Sequence, residues 1–328
     1  MADMTLQAVL EAHRETTPTA VALIARGDDV EVAAIGEDTR ESIFPIASVT
    51  KPVVAAAAML LVEDGTIALD DPIATWLPEL AHPVVVRTPQ SPVDDTVPAT
   101  KPITVRHLLA SRSGWGFTAD FSLPATQKLF EQAHLHGRED LPTAEEWLKQ
   151  LADVPLLHEP GDGWLYNTSY DVLGVLLHRV TGSLPDFLAE RLYTPAGMTD
   201  TSFISETLPS GAGGLKSTVD DLLAFNRFLV SSGLLPKLAV DVTTAGEREA
   251  AQIFLEGQGW GFGGSVDIAE IDPWNVKGRY GWVGGSGTAA HIVPSQNLIT
   301  ILLTRTAMTS PTPQEVMRDF WRSAVHTL

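Results

Sequence analysis

Ser48 and Lys51 stand three residues apart, in Ser48-Val-Thr-Lys51, at the front of an apolar run that continues to Gly65. On a helix that spacing sets both side chains on one face, so the amine reaches the hydroxyl. Serine is a weak nucleophile at neutral pH and needs a neighbour to take its proton. Lysine serves when burial lowers its pKa, and backbone N–H groups at a helix start favour the negative charge that develops. The pair points to acyl transfer through a serine ester.

A second segment, Glu159-Pro-Gly-Asp-Gly-Trp-Leu-Tyr-Asn-Thr168, uses a proline-glycine turn to deliver Tyr166 to a loop directly before a helix. A phenol there projects into a cleft, and a lysine cation beside it predicts a lowered pKa with phenolate character. A tyrosine packed under the loop is the alternative. In the third, Arg279-Tyr-Gly-Trp-Val-Gly-Gly-Ser-Gly-Thr-Ala-Ala-His-Ile-Val293, small residues stand where a strand should pack, so another group approaches the backbone closely. An edge strand there would offer the Gly285 N–H, with that of Ser48, to an oxyanion; a bulge or tight sheet crossing is the alternative. Trp115, Phe117, Trp260 and Phe262 lie in loops or glycine-rich stretches expected to flank the cleft, as acyl-pocket lining or as core.

The elements that must position these groups follow a simple order. Lys51 to Gly65 reads as a buried helix closed by glycine. Thr19–Ala25 and Val30–Ile35 read as a hairpin, and Gln258–Ile268, Tyr280–Val293 and Leu298–Thr304 as glycine-rich or apolar strands. Helices are expected over the first fifteen residues, after Thr104 and Thr143, over Ser169–Val180 and Ser217–Val230, and from a capping box at Thr312-Pro-Gln-Glu315. Strands at both ends bracket a helical middle. The expected architecture is α/β: an antiparallel sheet built from both termini, residues 1–70 and 206–328, flanked by helices. Residues 71–205 form an inserted, mostly helical subdomain, with the site at the seam.

Composition narrows the partners. The chain has 328 residues, 44% of them hydrophobic, and 22 basic against 41 acidic residues for a net charge of −19. So acidic a surface repels phosphate backbones and anionic lipid, which excludes nucleic-acid and membrane-surface partners from the expectation. There is no cysteine, hence no disulfide or thiolate site. No run of about eighteen apolar residues occurs and no signal peptide is seen, so a soluble, cytoplasmic protein is expected. His134-Leu-His136 lacks the further ligands a metal pair needs, and neither a metal nor another cofactor is called for.

With the three segments in place, the chain resembles the serine β-lactamase and penicillin-binding-protein superfamily, most closely its class C-like esterase branch, the family VIII carboxylesterases. The resemblance spans Ser48–Lys51, Leu69-Asp-Asp-Pro72, Ile103–Gly114, the tyrosine loop, Gly213–Asp221 and the glycine-rich strand. It implies the β-lactamase/transpeptidase-like fold, Ser48 as the acylated nucleophile, Lys51 as proton shuttle, and Tyr166 as base in acylation and activator of the deacylating water. Trp282-Val-Gly284 matches the third motif, which is K-T-G in penicillin-recognising members. Two departures stand out. The second motif is Tyr166-Asn167-Thr168 rather than Y-x-N, so either Asn167 reaches the pocket through a shifted loop or Thr168 replaces it. Trp282 replaces the lysine that pairs with a β-lactam carboxylate, which favours a neutral ester.

The expected function is therefore a serine carboxylesterase acting on a small-molecule ester or amide through an acyl-enzyme. A β-lactamase, a D-amino-acid peptidase or amidase, or an acyltransferase would use the same site. A catalytically silent binding domain is the reading of another class. No G-x-S-x-G occurs, so an α/β-hydrolase elbow is unsupported.

Overall fold

Apolar strands from opposite ends of the chain pair side by side. In the computed structural model, which describes residues 5–135 and 140–326, β1 (Ala20–Arg26) lies antiparallel to a strand at Leu298–Thr304, in register from Ala20 opposite Thr304 to Arg26 opposite Leu298. Every residue of the later strand is buried, as expected of a central strand rich in leucine and isoleucine. The other strands of this sheet are β2 (Asp29–Ile35), β3 (Gly259–Trp260), β4 (Ser265–Val266), β5 (Tyr280–Gly284) and β6 (Thr288–Val293); Leu298–Thr304 is β7. Among the described residues the order is β2-β1-β7-β6-β5-β4-β3, antiparallel throughout.

Helices flank the sheet. α1 (Leu6–Ala12) packs on β2 and on the last helix, Glu315–His326, while the helix at Val219–Ser231 packs across β1, β6 and β7. α2 (Thr50–Glu63) is buried from Thr50 to Met59, and its run Ala55–Ala58 brings its backbone close to its neighbours. It contacts α3 (Thr168–Thr181), which ends at Gly182 in the left-handed conformation. No helix among the described residues is long and apolar enough to cross a membrane.

Several expectations shift. The stretch 258–268 is two short strands rather than one, and 280–293 folds into a hairpin whose turn is Gly285-Ser286-Gly287. The last helix starts at Glu315, with the Met317 and Arg318 N–H groups bonded to the Gln314 carbonyl, and the Ser310 hydroxyl accepts the Thr312 N–H in the turn before it. Thr312 therefore does not cap it.

Candidate active site

Ser48 sits in a 3-10 turn, Ala47–Val49, that runs directly into α2. Ala47 has φ of 43°, a conformation a side chain rarely adopts, and it is held there by packing against β5. The strain aims Ser48 at a cavity of about 430 Å³. One turn further on, the Lys51 amine donates to the Ser48 hydroxyl at 2.9 Å, to Asn167 Oδ1 at 2.9 Å and to the Ala212 carbonyl at 2.7 Å. Lys51 is fully buried. Burial disfavours its charged form and lowers its pKa to about 7, against the opposing field of Asp171.

Tyr166 is fixed by backbone bonds in both directions with Phe117, at 2.9 and 3.0 Å. Its ring covers the Lys51 amine at 4.6 Å, and its phenol oxygen accepts the Trp282 indole N–H at 2.7 Å. Contrary to the sequence expectation, the phenol is not acidified. Burial raises its pKa to about 12, and the hydrogen bonds to Ser48 and Trp282 offset only part of that. Burial thus acts in opposite senses on the two protons: it favours the neutral amine of Lys51 and the neutral phenol of Tyr166.

Asn167 reaches Lys51 through strained backbone. Its φ of 82° and ψ of −72°, with the Thr168 N–H bonded to the Tyr166 carbonyl at 3.2 Å, make the rare form of γ-turn immediately before α3. The shifted loop is thus the arrangement observed, and Thr168 is buried instead.

β5 forms the opposite wall. β4 pairs with it only at Tyr280 and Gly281, so Trp282 to Gly284 are open on that side to the turn carrying Ser48. Gly284 is required by that approach: a Cβ there would stand 2.4 Å from the Ile46 carbonyl oxygen and 2.3 Å from Thr288 Oγ1. Gly285, at the cavity edge, has open space where a Cβ would be.

The cavity thus joins Ser48, Tyr166, Asn167, Trp282 and Gly285, with Lys51 buried beneath. Trp115 and Trp260 do not belong to it. Trp115 is buried with its indole N–H bonded to the Val154 carbonyl at 2.8 Å. Trp260 is fully buried, edge-on to Trp282 at 4.7 Å and to Trp164 at 5.4 Å, and so backs the wall rather than lining it. Phe117 does line it, with Phe121 and Phe130; Phe117 and Phe130 stack at 4.6 Å and 19°. Sequence reasoning missed Phe121, Phe130, Phe254 and above all Asp171, a buried carboxylate that lines the cavity one helical turn beyond Asn167. The four-residue spacing from Asn167 was the available signal. His136 lies outside the described residues. Among the described residues no group of three His, Asp or Glu is placed to share a metal ion.

Comparison with known proteins identifies the family and the fold. A family model described as Beta-lactamase matches residues 6–324. An uncharacterized protein of Mycobacterium tuberculosis is 33% identical, covering 80% of this chain and 77% of its own. Esterase EstB of Burkholderia gladioli is 29% identical, covering 88% of this chain and 86% of its own. The solved structure of EstCE1, described as a hydrolase with promiscuous acyltransferase activity, shares the fold with a TM-score of 0.79 at 23% identity, covering 98% of this chain and 97% of that one.

Proposed function

This chain belongs to the β-lactamase family, and on that premise we propose that it is a serine esterase acting on small, uncharged carboxylic esters through an acyl-enzyme on Ser48. The observation that carries the reading is the 2.9 Å contact between the buried Lys51 amine, whose charged form burial disfavours, and the Ser48 hydroxyl at an apolar cavity.

In acylation Ser48 Oγ bonds to the ester carbon while its proton passes to Lys51. The carbonyl oxygen takes the electron pair, and the backbone N–H groups of Ser48 and Gly285 are the candidate donors to it. When the tetrahedral intermediate collapses, the C–O bond to the alcohol breaks and Lys51 returns the proton to the leaving alkoxide, with the Tyr166 phenol as relay. In deacylation water attacks the acyl carbon, its proton moves to the same pair, and Ser48 leaves as a hydroxyl once the proton returns.

An uncharged ester is favoured because no lysine or arginine lines the cavity among the described residues, while Phe117, Phe121, Phe130 and Phe254 do. The name of esterase EstB supports the same class. The apolar wall also supports transfer of the acyl group to an alcohol in place of water, the promiscuous activity ascribed to EstCE1.

Turnover of p-nitrophenyl acetate and butyrate, with and without added alcohol, tests the reading. Ser48→Ala should abolish it, and intact-mass analysis after a fluorophosphonate should find one adduct on Ser48. Undiminished turnover in Ser48→Ala would refute it.

A further inference from the structure

The buried carboxylate of Asp171 has no role in the scheme above, yet it belongs to the same hydrogen-bonded unit as the Lys51 amine. Asp171 Oδ1 accepts the Ser210 hydroxyl at 2.5 Å and the Ala212 N–H at 3.3 Å. The carbonyl of the same Ala212 accepts from Lys51 at 2.7 Å. One residue's main chain therefore carries the carboxylate at its N–H and the amine at its C=O. A second link runs along α3, where Asn167, bonded to Lys51, stands four residues before Asp171. No direct ion pair joins the two charged groups, although Asp171 is only 4% exposed and Lys51 is not exposed at all.

We propose that Asp171 is the positioning residue and counter-charge for Lys51. Through Ser210 and Ala212 it fixes the carbonyl that orients the amine, and its negative charge stabilises the ammonium formed when Lys51 takes the Ser48 proton. The inference rests on Ser48–Lys51 chemistry as proposed above.

The charges around Lys51 make the role assignable. From α3 and the loop before it the amine faces Asp171 and Tyr166. The Ser210–Ala212 segment offers it a carbonyl, and on β5 the Tyr280 hydroxyl is engaged with the Phe262 carbonyl. Asp171 is thus the counter-charge acting on Lys51 among the described residues. Burial raises the pKa of the carboxyl itself, against the Ser210 hydrogen bond and the Lys51 charge.

Asp171→Asn keeps an acceptor for Ser210 and Ala212 but removes the charge. A carboxylate raises the pKa of a neighbouring amine, so its loss lowers that pKa. The kcat/KM profile of Asp171→Asn for p-nitrophenyl butyrate should have its acid limb moved to lower pH by about half a unit or more, with a maximum reduced at least about ten-fold through kcat and KM changed little. Asp171→Glu keeps the charge on a longer arm, so its limb should not move to lower pH. An unmoved limb in Asp171→Asn, or the same acid shift in Asp171→Glu, overturns the inference. Should Asp171→Asn not fold, an acid-shifted limb in Asp171→Glu still overturns it. These outcomes are distinct from failure of the esterase reading, which is reported by turnover that survives Ser48→Ala and would remove both.

Discussion

The Trp282 indole donates to the Tyr166 phenol oxygen at 2.7 Å, across 116 residues of sequence. The bond occupies a lone pair of the phenol, on the same oxygen that is hydrogen-bonded with Ser48. Trp282 therefore occupies its motif position as an orienting donor rather than as a cation for an anionic substrate. Trp282→Phe keeps most of the packing against Trp260 and removes the N–H. It should lower kcat/KM about five-fold, the worth of one buried hydrogen bond of about 1 kcal/mol. Steady-state kinetics with circular dichroism as a fold control checks this, and wild-type kcat/KM in a folded variant would count against the role.

The burial of Lys51 sets a pH dependence with a definite sign. The base must be unprotonated, so activity should be low in acid and rise as pH passes through about 7. An ordinary exposed lysine would place that limb above about pH 10. A rate profile from about pH 5 to 10 at constant ionic strength separates the two, and a limb above about pH 9 would show that Lys51 is not desolvated when it acts.

Neighbouring glycines should fail in different ways. In Gly284→Ala the new methyl meets the Ile46 carbonyl and Thr288, so overpacking should cost about 1–3 kcal/mol in urea unfolding and disturb the Ser48 turn as well. In Gly285→Ala the methyl meets nothing within 4 Å and stands at the cavity edge, so stability should hold while KM rises. Equal stability losses in the two variants would contradict the packing described.

How much was legible in the sequence follows the range of the forces involved. Ser48, Lys51 and Tyr166 could be found because helix spacing and proline-glycine turn chemistry are local, and the sheet because its strands carry their own apolar patterns. The fates of Trp115 and Trp260 were not local. Trp115 is buried by Val154, 39 residues away, and Trp260 by Trp164 and Trp282, so neither reaches the cavity. The direction of the Tyr166 shift was misread for the same reason: an adjacent lysine is visible in the sequence, but the desolvation that outweighs it is created by the assembled wall. Asn167 was ambiguous because its positive φ, which decides where the amide points, leaves no mark in residue type beyond the tolerance of asparagine for it.

The absence of lysine and arginine from the cavity lining, among the described residues, should be visible as charge discrimination. A carboxylate on the acyl chain would lose its hydration against Phe117, Phe130 and Phe254 without gaining a cation, and would meet the field of Asp171 and of a chain with net charge −19. Mono-p-nitrophenyl glutarate carries that carboxylate and is close in length to p-nitrophenyl butyrate, so kcat/KM should be at least about a hundred-fold lower for it, equivalent to about 2.7 kcal/mol. Raising the salt concentration should recover only part of the difference, because screening reaches the long-range field but not the desolvation inside the cavity. Nitrocefin, also an anion, should be turned over more poorly than the butyrate ester for the same reason. Comparable kcat/KM for the glutarate and butyrate esters would mean that a cation reaches the bound acyl chain, and the preference for neutral esters would then be wrong.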